Sequence, residues 1–153
     1  MNKPRLQVSA LVLSAAALVG LVAHEGYSDK PIIPVPGDVP TIGFGTTEGV
    51  KPNDRTTPVK ALERALSDVQ KFEGALKKCV KVPLYQHEYD AYISFSYNVG
   101  STNFCRSTLV KKLNLKDYEG ACKELLRWNR VKGRIVDGLT NRRKKEYQQC
   151  LGI

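Results

Sequence analysis

Glu25 and the segment Thr41-Ile42-Gly43-Phe44-Gly45, which begins sixteen residues further on, are the residues of this 153-residue chain best suited to chemistry. Glu25 follows an apolar run without charges, Leu6 to Ala23. A carboxylic acid at the mouth of an apolar helix, facing a short glycine-rich strand, has the setting in which an acid can keep its proton near neutrality and protonate a glycosidic oxygen. A second carboxylate would activate a water on the opposite face of the sugar. Asp29 and Asp38 are the acids between Glu25 and Thr41, and Asp38 lies nearer the strand. Plainer readings stand beside these: Glu25 as an interfacial carboxylate, and Asp38 as a turn residue after Gly37.

The apolar run has a basic start, Lys3 and Arg5, and is about long enough to cross a bilayer as a helix. It is diluted by Gln7, Ser9, Ser14, Gly20 and several alanines, so its insertion should be only marginally favourable. Its sequence predicts an uncleaved signal-anchor over residues 1–23, with the basic end inside and the rest of the chain outside. A cleavable export signal and a buried core helix are the alternatives, although cleavage near Ala15-Ala16-Ala17 or after Ala23 would trim the helix that positions Glu25.

Residues 26–56 hold five prolines and five glycines, which exclude a long helix and favour short strands and turns, Thr41–Gly45 above all. From Thr57 the pattern turns helical. Thr57 can cap and Pro58 suits a first turn, and Val59, Leu62, Leu66, Val69, Phe72 and Leu76 follow at spacings of three and four over 58–79. A second helix, rich in aromatics, is predicted near 84–98 and stops at Gly100, with shorter ones near 107–113, 117–129 and 139–150. The fold class is therefore α+β. A small β-rich lobe (about 26–56) and a larger helical lobe (about 80–153) are joined by a long helix, and a polymer substrate would lie between the lobes.

The net charge of +9 is concentrated. Residues 111–145 carry twelve Lys and Arg against four Asp and Glu, a surface attracted to polyanions such as cell-wall polymer or anionic lipid. No zinc-ligand spacing or RNA-binding aromatic signature accompanies it, which argues against nucleic acid as a partner. Four cysteines, Cys79, Cys105, Cys122 and Cys150, follow the apolar run at wide spacings, which favours disulfides in an oxidising compartment over a metal site. Three connectivities are open. Cys79–Cys105 and Cys122–Cys150 are favoured, on the expectation that the first pair flanks the second helix and the second pair lies on the last two helices.

His24-Glu25-Gly26 followed by Thr41-Ile42-Gly43-Phe44-Gly45 resembles the active-site region of the phage-type lysozymes, glycoside hydrolase family 24. Tyr97-Asn98-Val99-Gly100, the stretch from Phe104 to Leu109, and Arg127-Trp128 resemble further landmarks of that family in the same order, so the likeness covers residues 24–150. With the N-terminal run, the chain looks like the signal-arrest-release endolysins with which bacteriophages lyse their hosts. The resemblance implies a lysozyme-like fold, cleavage of the β-1,4 bond between N-acetylmuramic acid and N-acetylglucosamine in peptidoglycan, no cofactor, no metal, and a monomer. It implies a catalytic domain over 24–153, exported to the host periplasm and first tethered to the inner membrane by 1–23. The family uses a Glu, an Asp nine positions later and a Thr six positions after that. Glu25 and Thr41 match the outer two, but Pro34 and Val35 stand where the Asp would fall from either end. Asp38 is the favoured replacement, with Asp29 or no aspartate as alternatives. Tyr97 and Ser107 are the substrate-binding candidates within the matched landmarks.

Without a working aspartate the same bond could be broken by lytic transglycosylation, in which the substrate's own hydroxyl attacks. Two non-enzymatic readings also stand: a basic wall-binding protein, and membrane disruption by the amphipathic stretch from Leu139 to Cys150.

Overall fold

The computed structural model describes residues 3–153. They form two compact units, one of residues 18–71 and the other of residues 3–17 with 72–153.

In the unit 18–71, helix α1 (Ala15–Glu25) ends at Gly26, whose φ of +69° turns the chain into strand β1 (Ser28–Ile32). Strand β2 (Thr41–Gly43) pairs antiparallel with β1, Ser28 opposite Gly43 and Ile32 opposite Thr41, with an irregularity between them. Helix α2 (Pro58–Cys79) begins here, and Thr57 caps it by accepting from the Lys60 amide at 3.4 Å. The large apolar residues of its first half do not face the core as their spacing predicts: Val59, Leu62 and Leu66 are 68%, 42% and 44% exposed, while Ala61 and Ala65 are buried. Strand β2 is the reason. A Cβ on Gly43 would stand 2.9 Å from the Cβ of Ala61, so the sheet meets the helix where only small residues fit. The turn after β2 is tied to the same helix by Thr46, a buried residue whose hydroxyl donates to Asp68 at 2.7 Å.

The other unit is helical. Helices α3 (Gln86–Val99), α4 (Ser101–Arg106), α5 (Thr108–Asn114), α6 (Tyr118–Glu124) and α7 (Asp137–Leu151) follow one another, with a two-residue hairpin of β3 (Arg130–Val131) and β4 (Arg134–Ile135) before the last. Helix α4 and this hairpin are absent from the sequence reading. Residues Glu88 to Ser96 of α3 are all buried, and Phe104 and Trp128 close on Phe95 with ring centroids at 6.2 and 5.3 Å. Disulfides join Cys79 to Cys105 and Cys122 to Cys150, each with Cα atoms 5.7 Å apart.

Two arginines of the basic stretch 111–145 do not lie on a solvated face, although Lys144 and Lys145 beside them in α7 are exposed. Arg142 and Arg143 are 8% and 1% exposed. Glu146, also buried, accepts from Arg142 at 3.1 Å and from Arg143, and Arg143 reaches Asn98 and the Trp128 carbonyl. Buried guanidinium groups need such partners, and the i,i+3 and i,i+4 spacings to Glu146 supply them.

The N-terminal run is not one helix here. Among the described residues no helix is long and apolar enough to cross a membrane. Leu6 exchanges two backbone hydrogen bonds of 2.8 Å with Leu84, Val8–Ala10 make one 3-10 turn, and α1 starts only at Ala15. Side-chain acceptors interrupt the helix. The amides of Leu13 and Ser14 donate to Glu73 at 2.6 Å and Asp90 at 3.0 Å, bonds that a continuous helix would direct to its own carbonyls. The Ser14 hydroxyl donates to Asp90 at 2.7 Å and caps α1 by accepting from Ala17 at 3.1 Å.

Candidate active site

Glu25 is the last residue of α1 and is partly buried. The turn after β2 comes up against it. A Cβ built on Gly45 would lie 3.0 Å from Oε2 of Glu25 and 3.5 Å from its Cβ, so the carboxylate occupies space that any other residue at position 45 would fill. Gly45 has φ of +83°, which also favours glycine there. The Tyr27 and Phe44 rings meet at a tilt of 49° with centroids 5.3 Å apart. The glycines of Thr41–Gly45 thus have separate tasks: Gly43 lets β2 lie on α2, and Gly45 gives the acid its room.

Thr41 starts β2 opposite Ile32 and is partly buried, its hydroxyl directed to the Ile32 carbonyl at 3.5 Å. Asp38 lies in the loop between β1 and β2 and is exposed. Its amide donates to the Val35 carbonyl at 2.9 Å, and its carboxylate accepts from the Val39 amide at 2.9 Å. That is turn chemistry, and it leaves the carboxylate further lone pairs. Asp29 lies within β1, exposed, with its carbonyl accepting from Thr56 at 3.0 Å. Glu25, Asp29, Asp38 and Thr41 therefore belong to one compact unit, and the residue whose setting is most sharply defined is Glu25.

In the helical unit Tyr97 is partly buried with its ring 5.1 Å from that of Phe72. Ser107 is 5% exposed. Its hydroxyl donates to the Phe104 carbonyl at 2.6 Å and accepts from the Val110 amide at 3.2 Å, which caps α5. An open pocket of about 280 Å³ lies nearby, lined by Thr108, Glu124, Arg127 and Trp128. Glu124, which the sequence reading missed, accepts from Lys112 at 2.7 Å and Arg127 at 3.2 Å. The Lys112 hydrogen bond holds the Glu124 carboxyl below its ordinary range, against the opposing effect of burial. The i,i+3 spacing of Glu124 and Arg127 was the available signal. Among the described residues no group of three His, Cys, Asp or Glu could hold a metal ion.

The sequence model of the phage lysozyme family matches residues 22–146. The chain is 43% identical to a SAR-endolysin of Pseudomonas phage phiKMV, over 99% of this chain and 93% of that protein. It is 38% identical to an endolysin of Salmonella phage P22, over 88% of this chain and 94% of the other. Its fold superposes on the endolysin from Escherichia coli O157:H7 phage FAHEc1 with a TM-score of 0.80 at 35% identity, covering 93% and 94% of the two chains. Glu25, the Thr41–Gly45 turn and the helices up to Glu146 all fall within the matched region, and the chain belongs to the phage lysozyme family.

Proposed function

We propose that this chain is an endolysin that hydrolyses the β-1,4 bond between N-acetylmuramic acid and N-acetylglucosamine in peptidoglycan, with Glu25 as the general acid. The seating of the Glu25 carboxylate against Gly45 of the Thr41–Gly45 turn is the observation that carries this reading. Glu25 gives its proton to the glycosidic oxygen as the bond to the anomeric carbon breaks. A water attacks that carbon from the opposite face and passes a proton to Asp38, with Thr41 helping to hold it, and the product has inverted configuration. Of the two substrate-binding candidates, Tyr97 contacts the glycan in this reading, whereas Ser107 is 5% exposed and caps α5. The purified Glu25→Gln protein tests the assignment: turnover on isolated peptidoglycan should fall by at least about two orders of magnitude. Undiminished turnover would refute it and would favour a non-enzymatic wall-binding role.

Lytic transglycosylation is the second reading. The exposure of Asp38 and its hydrogen bond to the adjacent amide favour it, because that reaction needs no second carboxylate. Fragment masses decide between the two, since hydrolysis adds water and transglycosylation leaves anhydro ends.

The N-terminal run has two alternative homes in this proposal. It first spans the inner membrane as a signal-anchor, holding the exported chain in the periplasm with Glu25 pinned at headgroup level. It then leaves the bilayer and folds against the helical unit. Its modest apolar content makes the spanning state only marginally favourable. Moving Lys3 and Arg5 outward works against the membrane potential at about 2.3 kcal/mol per charge per 100 mV, so depolarisation favours release. The burial of Val8 and Leu11 on the helical unit supports the second home.

A further inference from the structure

Arg5 enters a site built by three residues of the helical unit. Its Nε and one terminal nitrogen donate to both carboxylate oxygens of Glu88, at 3.1 and 2.8 Å. Its guanidinium carbon lies 4.2 Å from the ring centroid of Tyr85 and 3.5 Å from that of Tyr118. The Glu88 side chain is 3% exposed and also accepts from the Tyr85 amide at 2.8 Å, which holds its oxygens in place at the start of α3. Tyr118 is fixed in turn by donating its hydroxyl to the Pro83 carbonyl at 2.9 Å. The neighbouring residue, Leu6, makes its two backbone bonds to Leu84, so the arginine and the strand-like pairing engage together.

We propose that Tyr85, Glu88 and Tyr118 form a guanidinium-binding site whose ligand is Arg5, and that filling it fastens the first residues of the N-terminal segment to the helical unit. The chemistry selects arginine over lysine. A planar fork meets both carboxylate oxygens while its face lies against aromatic rings, and an ammonium group can do only one of these at a time. An empty site leaves a buried carboxylate without its cation, which is far more unfavourable than losing an exposed ion pair. Arg5 therefore has two exclusive positions. It is the inner flanking charge while the run spans the membrane, and the ligand of this site once the run is released. The second half of that statement is visible in the docked chain, and the first rests on the tether-and-release reading.

Hydrogen exchange in the purified full-length protein tests the site directly. Arg5→Lys should accelerate exchange at the Leu6 amide by about tenfold or more, from the loss of charge-assisted hydrogen bonding. Tyr118→Leu, which keeps Arg5 and removes one ring, should act in the same direction. In Arg5→Ala, millimolar ethylguanidinium should raise the melting temperature while ethylammonium does not, and neither should affect the parent protein. Exchange in Arg5→Lys within twofold of the parent, or equal effects of the two cations, would overturn the proposal. In membranes, Arg5→Lys keeps its charge and should tether like the parent, yet show delayed lysis after depolarisation. A parent chain that never tethers would remove the release reading and leave the exchange result to decide the site.

Discussion

Gly43 and Ala61 meet without room for a methyl group, since a Cβ on Gly43 would stand 2.9 Å from that of Ala61. Gly43 also has φ of +63°. Gly43→Ala should destabilise the protein by about 2 kcal/mol or more through strain and overpacking together. Pairing it with Ala61→Gly should recover the packing share only. Denaturant unfolding of both variants measures the split, and full recovery in the double variant would show that backbone strain is unimportant.

Gly45→Ala should impair catalysis, because its methyl would lie 3.0 Å from Oε2 of Glu25. A displaced acid should lose about tenfold or more in kcat. Gly49→Ala is the control: it has the same sign of φ, +69°, and its Cβ would meet only an Arg64 nitrogen at 3.9 Å. Similar kcat losses in both would mean that strain, and not the contact with Glu25, is responsible.

Asp38→Asn should lower turnover more than Asp29→Asn if the loop aspartate takes the proton from water, by about two orders of magnitude against little change. Folding is checked separately by circular dichroism. If Asp29→Asn alone is inactive, the strand aspartate has the role. If neither variant loses activity and anhydro ends appear, the reaction is transglycosylation.

Lys112→Met should destabilise the protein in a pH-dependent way. The Lys112 hydrogen bond lowers the Glu124 carboxyl below its ordinary 4.5, so the pair's stabilisation is complete above that pH and is lost as pH falls through the lowered value. The variant should be about 1 kcal/mol less stable at pH 7, a part-exposed pair being worth no more, and the gap should close in acid. A gap that stays constant down to pH 3 would show that packing of the lysine stem, and not charge, causes the loss.

Ser9→Leu combined with Gly20→Leu should lengthen the tethered phase. Both positions are exposed, and a Cβ on Gly20 meets nothing within 4 Å, so the docked form should tolerate the change. Each leucine favours insertion by about 0.3–0.6 kcal/mol. Fractionation should find more protein in the membrane while the soluble protein keeps its melting temperature and turnover. An unchanged distribution would argue against the membrane-spanning state.

Helix α2 was legible from Thr57, Pro58 and the apolar spacing that followed, and its extent, Pro58–Cys79, matches that reading. Its buried face was not, because burial of Ala61 and Ala65 follows from the nearness of Gly43, a contact between distant parts of the sequence. Glu25 and Thr41 stood out by residue type and neighbours. The part played by Gly45 needed coordinates. Arg142 and Arg143 were read as surface because they lie in a basic stretch, where local charge says nothing of a buried Glu146 across one helical turn. The docked form of the N-terminal run was the least legible, because Glu73, Glu88 and Asp90, which interrupt its helix and hold it, come 60 or more residues later.

Both disulfides lie in the helical unit, closing loops with separations of 26 and 28 residues, and residues 18–71 contain no cysteine. On a chain-entropy basis each link is worth about 3–4 kcal/mol. Before the disulfides form, the half that holds the N-terminal segment lacks that stabilisation. Oxidation thus strengthens one half alone, and the carboxylates of Glu25, Asp29 and Asp38 belong to the other. Mild reductant should consequently loosen the receiving surface first and leave the Glu25 neighbourhood without any sulfur to respond.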